Sequence, residues 1–127
     1  MNNDNLYDAI LIAMPPDVKV EMVRIYQEYE RACEMHKEWP MDFVHAAAIV
    51  AEESGELIQA TLQNYYDGHS FENMKSEAVQ TGAMALRFMV NANGYWCWAC
   101  KQLVPVNEVT PGKRHDEDQG GCGCYIR

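Results

Sequence analysis

Residues 71–91, FENMKSEAVQTGAMALRFMVN, carry apolar side chains almost all the way round a helix. Val79, Gly82, Ala83, Met84, Ala85, Leu86, Phe88, Met89 and Val90 leave only a narrow polar stripe over the second half. A helix of that kind is buried on most sides. At 100° per residue, with Glu77 at 0°, its polar exceptions Asn73, Gln80, Arg87 and Asn91 fall between about −40° and −80° on one narrow stripe. Asn93-Gly94 follows the run as a stop signal.

Two further long helices are expected upstream. Asp17 is read as the N-cap of a helix to about Glu38, with Val18, Met22, Ile25, Tyr26, Tyr29, Ala32 and Cys33 on its apolar face. Trp39-Pro40 breaks it. The next runs from about Asp42 to Tyr65, with Phe43, Ala47, Val50, Leu57, Ile58 and Thr61 on one face and His45, Glu52, Glu56, Gln59 and Gln63 opposite. Tyr66-Asp67-Gly68-His69-Ser70 reads as a loop. A short helix over Asp4–Met14 ends at Pro15-Pro16. Three main helices give the apolar helix too little shielding. The expected fold is therefore all-α, a helical bundle completed by a second copy of the chain as a homodimer or homotetramer.

The chain has 127 residues and a net charge of −9. That charge argues against binding a nucleic-acid polymer. No apolar run is long enough to span a membrane, and no signal peptide is expected, so the protein reads as cytoplasmic. Residues 1–94 hold 15 acidic and 6 basic residues, and residues 95–127 hold four of each. Four of the five cysteines fall in the second segment, so a helical domain over 1–94 and a Cys-rich tail over 95–127 are expected.

From Asp42 to Asn64 there is no Lys or Arg, yet Glu52, Glu56 and Glu53 fall at about 0°, 40° and 100° on the same helix. An ordinary surface helix would place a basic partner three or four residues away. A divalent cation, Mg²⁺ or Mn²⁺, is the expected counter-charge. Glu53 and Glu56 are three apart, as are Glu77 and Gln80 on the following helix. Two such pairs facing each other build helix-bundle carboxylate sites.

Here the sequence resembles the MazG-like, all-α nucleoside triphosphate pyrophosphohydrolases, whose motif is EExxE followed on the next helix by ExxD. The chain reads Glu52-Glu53-Ser54-Gly55-Glu56, twenty intervening residues, then Glu77-Ala78-Val79-Gln80. The resemblance covers residues 37–89 and departs at Gln80, which stands where the motif has Asp. It implies hydrolysis of a (d)NTP between the α and β phosphates, giving a monophosphate and pyrophosphate. It makes Glu53, Glu56 and Glu77 metal ligands with Gln80 an uncharged fourth, and Glu52 a further ligand or the base that orients water. Arg87 and Lys75 are candidates for phosphate contact. The loss of the Asp also opens a second reading, a degenerate relative that binds nucleotide or metal without turnover.

The tail begins Tyr95-Trp96-Cys97-Trp98-Ala99-Cys100 and ends Gly121-Cys122-Gly123-Cys124. CxxC is half of a zinc ribbon, and CxC is a departure from its second half. A structural Zn²⁺ on Cys97, Cys100, Cys122 and Cys124 is the expected staple, with His115 as a substitute ligand and partner binding as a role for the module. Redox-active or disulfide-bonded cysteines are the alternatives. Leu103–Val109 has strand character interrupted by Pro105, so little regular structure is expected there.

Overall fold

A computed structural model of the chain describes residues 3–92, 94–97 and 102–105. It contains helices α1 (Asn3–Ala13), α2 (Pro16–Met35), α3 (Phe43–Asp67) and α4 (Phe71–Asn91), then strands β1 (Gly94–Cys97) and β2 (Gln102–Pro105). The all-α expectation holds for residues 3–92. No helix among the described residues is long and apolar enough to cross a membrane.

The boundaries follow from local chemistry. Asp42 caps α3 by accepting from Val44 N at 2.9 Å and His45 N at 3.4 Å. Gly68 closes α3 at φ 70°, the left-handed conformation that glycine adopts without a Cβ penalty. Ser70 then caps α4, accepting from Asn73 N. Three expectations are corrected here. Asp17 is not the cap of α2: Pro15 occupies that place, Pro16 starts the helix, and Asp17 Oδ1 accepts only from the adjacent Val18 N. The α2 helix also stops at Met35, three residues before Glu38. Tyr66 and Asp67, read as loop, are the last residues of α3. After α4, β1 and β2 pair antiparallel as a hairpin, with Tyr95 opposite Val104 and Trp96 opposite Leu103, so the strand character of the 103–109 segment is realised over its first three residues. Pro105 is the last residue of β2, a place where a missing N–H costs the ladder little.

Helix α4 is central and packs against both α3 and α2. Gly82 lets α2 approach closely: a Cβ there would lie 3.0 Å from Ile25 Cδ1. Glu21 on α2 also meets Lys75 on α4 at 3.0 Å. The buried apolar residues are small, namely Ala32, Ala46, Ala60 and Ala83, with Met84 the largest. Tyr29, Trp39, Ile49 and Val50 pack half-buried around them.

The buried face of α3 is rotated from the expected one. Ala46 and Ala60 are buried and Ile49 and Val50 half-buried, whereas Ala47, Ile58 and Thr61 are exposed. The polarity pattern is ambiguous because α3 has apolar residues on two faces, and α4 covers only one.

Candidate metal centre

Helices α3 and α4 bring Glu53, Glu56 and Glu77 together. Each contributes a carboxylate oxygen, and those oxygens lie within 4.8 Å of one another. The spacing suits shared coordination of a single cation by hard oxygen ligands. One oxygen of Glu53 and one of Glu77, both Oε2, are buried with no hydrogen-bond partner. Buried acceptors without donors are costly, and an anionic one more so.

The electrostatics agree with the geometry. Burial pushes the Glu53 carboxyl above its ordinary value, and the charges of Glu56, Glu77, Glu52 and Glu28 push it the same way. Glu28, on α2, escaped the sequence reading because nothing in one chain's pattern tells which turn of a separate helix will face the cluster. Its carboxylate is held by Arg31 at 2.5 and 2.8 Å. The hydroxyls near the site bond back to their own helices: Ser54 Oγ donates to Val50 O and Thr81 Oγ1 to Glu77 O.

The remaining expected site residues separate from this trio. Glu52 is exposed on α3 and stands outside the group of three. Gln80 is half-buried one turn after Glu77. Lys75, expected near phosphate, instead pairs with Glu21, whose carboxyl it holds below the ordinary range. Arg87, the other phosphate candidate, is only 4% exposed. Its guanidinium donates to the carbonyls of Ala32, His36 and Glu38 and lies 4.9 Å from the Trp39 ring centroid. It ties the end of α2 to the connection that leads into α3. Both placements have one cause: a cation among packed helices takes the nearest fixed acceptors, which helical spacing alone does not reveal. Cys97 lies in β1, while Cys100, Cys122, Cys124 and His115 lie outside the described residues.

An open cleft of about 550 Å³ adjoins the trio and shares Glu53 with it. Trp39, His45, Ile49 and Met84 supply much of its wall, with His36, Glu38, Pro40 and Arg87 completing it. An aromatic and aliphatic wall beside a carboxylate cluster suits a ligand with a flat ring at one end and negative charge at the other, given a cation between.

Because Glu53 titrates above a normal carboxyl, the folded metal-free protein holds a proton that the unfolded chain, near 4.5, releases sooner. Its contribution to stability is present at low pH and is lost as pH rises through the raised folded value. The melting temperature of chelator-treated protein should therefore gain from lowering the pH from 7.5 towards 5 at this site. Added Mn²⁺ should raise the melting temperature more at pH 7.5 than at pH 5, because ion and proton compete for the same oxygens. A thermal-shift series at several pH values with and without Mn²⁺ checks both. An equal Mn²⁺ effect at the two pH values would count against the trio as the ion's ligands.

No protein-family model matches the chain, and no curated protein or solved structure shows significant similarity to it.

Proposed function

We infer that this chain is a divalent-metal-dependent nucleotide pyrophosphohydrolase, cleaving (d)NTPs between the α and β phosphates to a monophosphate and pyrophosphate. The observation that carries the reading is the convergence of Glu53, Glu56 and Glu77 from two helices, with two buried oxygens lacking any protein donor. The EExxE and Glu77-x-x-Gln80 pattern, similar to that of MazG-like enzymes, supplies the reaction class. Glu53, Glu56 and Glu77 would hold Mg²⁺ or Mn²⁺, with the Gln80 carbonyl as an uncharged addition. When bound, such an ion supplies positive charge against the phosphates and acidifies water. Glu52, exposed one residue from Glu53, is the group placed to orient water or take its proton. The Trp39 and His45 cleft receives the nucleoside. The cytoplasmic location, the helical bundle completed by a second copy, and structural zinc on Cys97, Cys100, Cys122 and Cys124 belong to the same reading.

Anion-exchange product analysis with purified protein, Mg²⁺ or Mn²⁺ and a panel of dNTPs and NTPs tests it. The expected products are monophosphate and pyrophosphate in equal amounts. Release of inorganic phosphate, or no turnover with folded protein, counts against it.

Gln80 favours a second reading, a metal- or nucleotide-binding relative without turnover, whose zinc-stabilised tail binds a partner. Gln80→Asp separates the two. For an active enzyme the extra charge tightens metal binding, by about tenfold, and activity changes modestly. For the degenerate binder, turnover appears only in the variant.

A further inference from the structure

One acid on α2 is drawn inward beside the metal centre. The side chain of Glu28 is 18% exposed, against 41% for Glu21 and 80% for Glu34 on the same helix. The contacts on either side of it fix where it stands. Helices α2 and α4 run in parallel, since Glu21 meets Lys75 near their starts and Arg87 donates to His36 O near their ends. Between these points Ile25 lies against Gly82, and Ala32 packs with Ala83 and Met84. Glu28 comes three residues after Ile25 and four before Ala32, on the side of α2 that both share. It is therefore level with the turn of α4 that holds Gln80. That is the place where the trio of Glu53, Glu56 and Glu77 lacks a fourth charge.

We propose that Glu28 is a fourth carboxylate ligand of the divalent cation, bringing from α2 the charge that Gln80 does not bring from α4. The inference rests on the metal-centre part of the reading above and is independent of the hydrolytic step.

Three observations support it. First, Oε2 of Glu53 and Oε2 of Glu77 are buried without any donor, so positive charge is what this place lacks. Second, Glu28 is near enough for its charge to help push the Glu53 carboxyl upward. Third, the tether that holds Glu28 is weak. Its carboxylate accepts from Arg31 Nη2 at 2.5 Å and Arg31 Nε at 2.8 Å. Arg31 is only three residues further along the same helix and is 56% exposed. An exposed pair at that spacing contributes little and is screened by salt. A divalent cation already held by three carboxylates is the stronger competitor for the Glu28 oxygens. Binding then breaks the pair: Glu28 turns from Arg31 to the ion, and the guanidinium is released to solvent.

Mn²⁺ titration calorimetry on the full chain tests the proposal, together with the relaxation of water protons by the bound ion. Glu28→Gln should weaken Mn²⁺ binding by about tenfold or more. Glu28→Asp keeps the charge but shortens the reach, and should lose nearly as much. A Glu28 acting only as a distant charge would leave Glu28→Asp at wild-type affinity, and the loss in Glu28→Gln would fade in about 0.5 M salt. Water takes the place of a lost ligand, so Mn²⁺ in either variant should relax water protons faster than in the wild type. Arg31→Gln removes the competitor and should tighten Mn²⁺ by about threefold. Arg24→Gln removes the same charge elsewhere on α2 and should not. These two arginine variants decide if the Glu28 variants lose their helical circular dichroism. Wild-type affinity in Glu28→Asp, or equal tightening by the two arginine variants, overturns the proposal and leaves the trio standing as the metal centre. A wild type that binds no Mn²⁺ overturns both. No readout uses nucleotide, so failure of the hydrolase reading is seen separately.

Discussion

Replacing Arg87 by lysine is expected to lower the unfolding midpoint by about 10 °C, equivalent to about 3 kcal/mol for a chain of this size. The guanidinium serves three carbonyls at once, those of Ala32, His36 and Glu38. His36 O lies just beyond the last turn of α2, outside its ladder, and Ala32 O also accepts from the His36 N–H at 2.8 Å. The planar fork also lies over Trp39, which packs against the core formed by Ala32, Ala83 and Met84. An ammonium on a lysine stem keeps the charge but cannot span three acceptors, nor stack as a flat group. It would leave a buried charge with fewer acceptors and the carbonyls of His36 and Glu38 without this donor. Arg87→Met should be similarly destabilised, while Lys75→Met, which removes only the exposed pair with Glu21, should melt close to the wild type. Thermal and urea unfolding of the three variants decides. If Arg87→Lys melts like the wild type and instead weakens nucleotide binding, the residue is a phosphate contact after all.

Glu53→Gln and Glu56→Gln are each expected to reduce Mn²⁺ affinity by about 100-fold or more, with turnover falling at least as far. The two substitutions should differ in metal-free protein. Glu53 is the carboxylate that burial and four like charges disfavour when ionised. Its amide isostere removes a charge from that crowd, so apo Glu53→Gln should be more stable than apo wild type at pH 7.5. The gain should vanish below the raised titration point, where wild-type Glu53 is itself neutral. Glu56 is exposed, so its amide should change apo stability little. Isothermal titration with Mn²⁺ and unfolding at pH 5 and 7.5 test the pair. Unchanged Mn²⁺ affinity in both variants would remove the trio from consideration as a metal centre, whatever the enzyme does.

Much of the helical layout is legible in the sequence because its signals are local. Asp42, Gly68 and Ser70 start and stop helices through contacts within five residues, and α4 runs over the range 71–91 read from its pattern. The pairing of Glu53 and Glu56 with Glu77 is legible for the same reason, since three-residue spacing puts side chains on one face and the missing basic residues are visible by inspection. Local rules mislead at α2. A Pro-Pro start outweighs the Asp17 cap, because a ring at the first helical position sets φ without loss of a useful N–H.

By itself, then, the sequence determined that the chain up to residue 92 is built of helices, where they begin to within about a residue, and that a carboxylate trio would be short of positive charge. Only the tertiary structure decided which cations are already taken. Arg87 turns to the end of α2 and Lys75 to Glu21, so neither neutralises the trio. It also decided that α3 buries the Ala46 and Ala60 side and leaves the Ile58 side bare. The physical reason is common to both. Periodicity says that a face is apolar or a stripe acidic, but the partner of each is chosen by helices distant in sequence, through close approaches such as Gly82 on Ile25 that leave no mark in the local pattern.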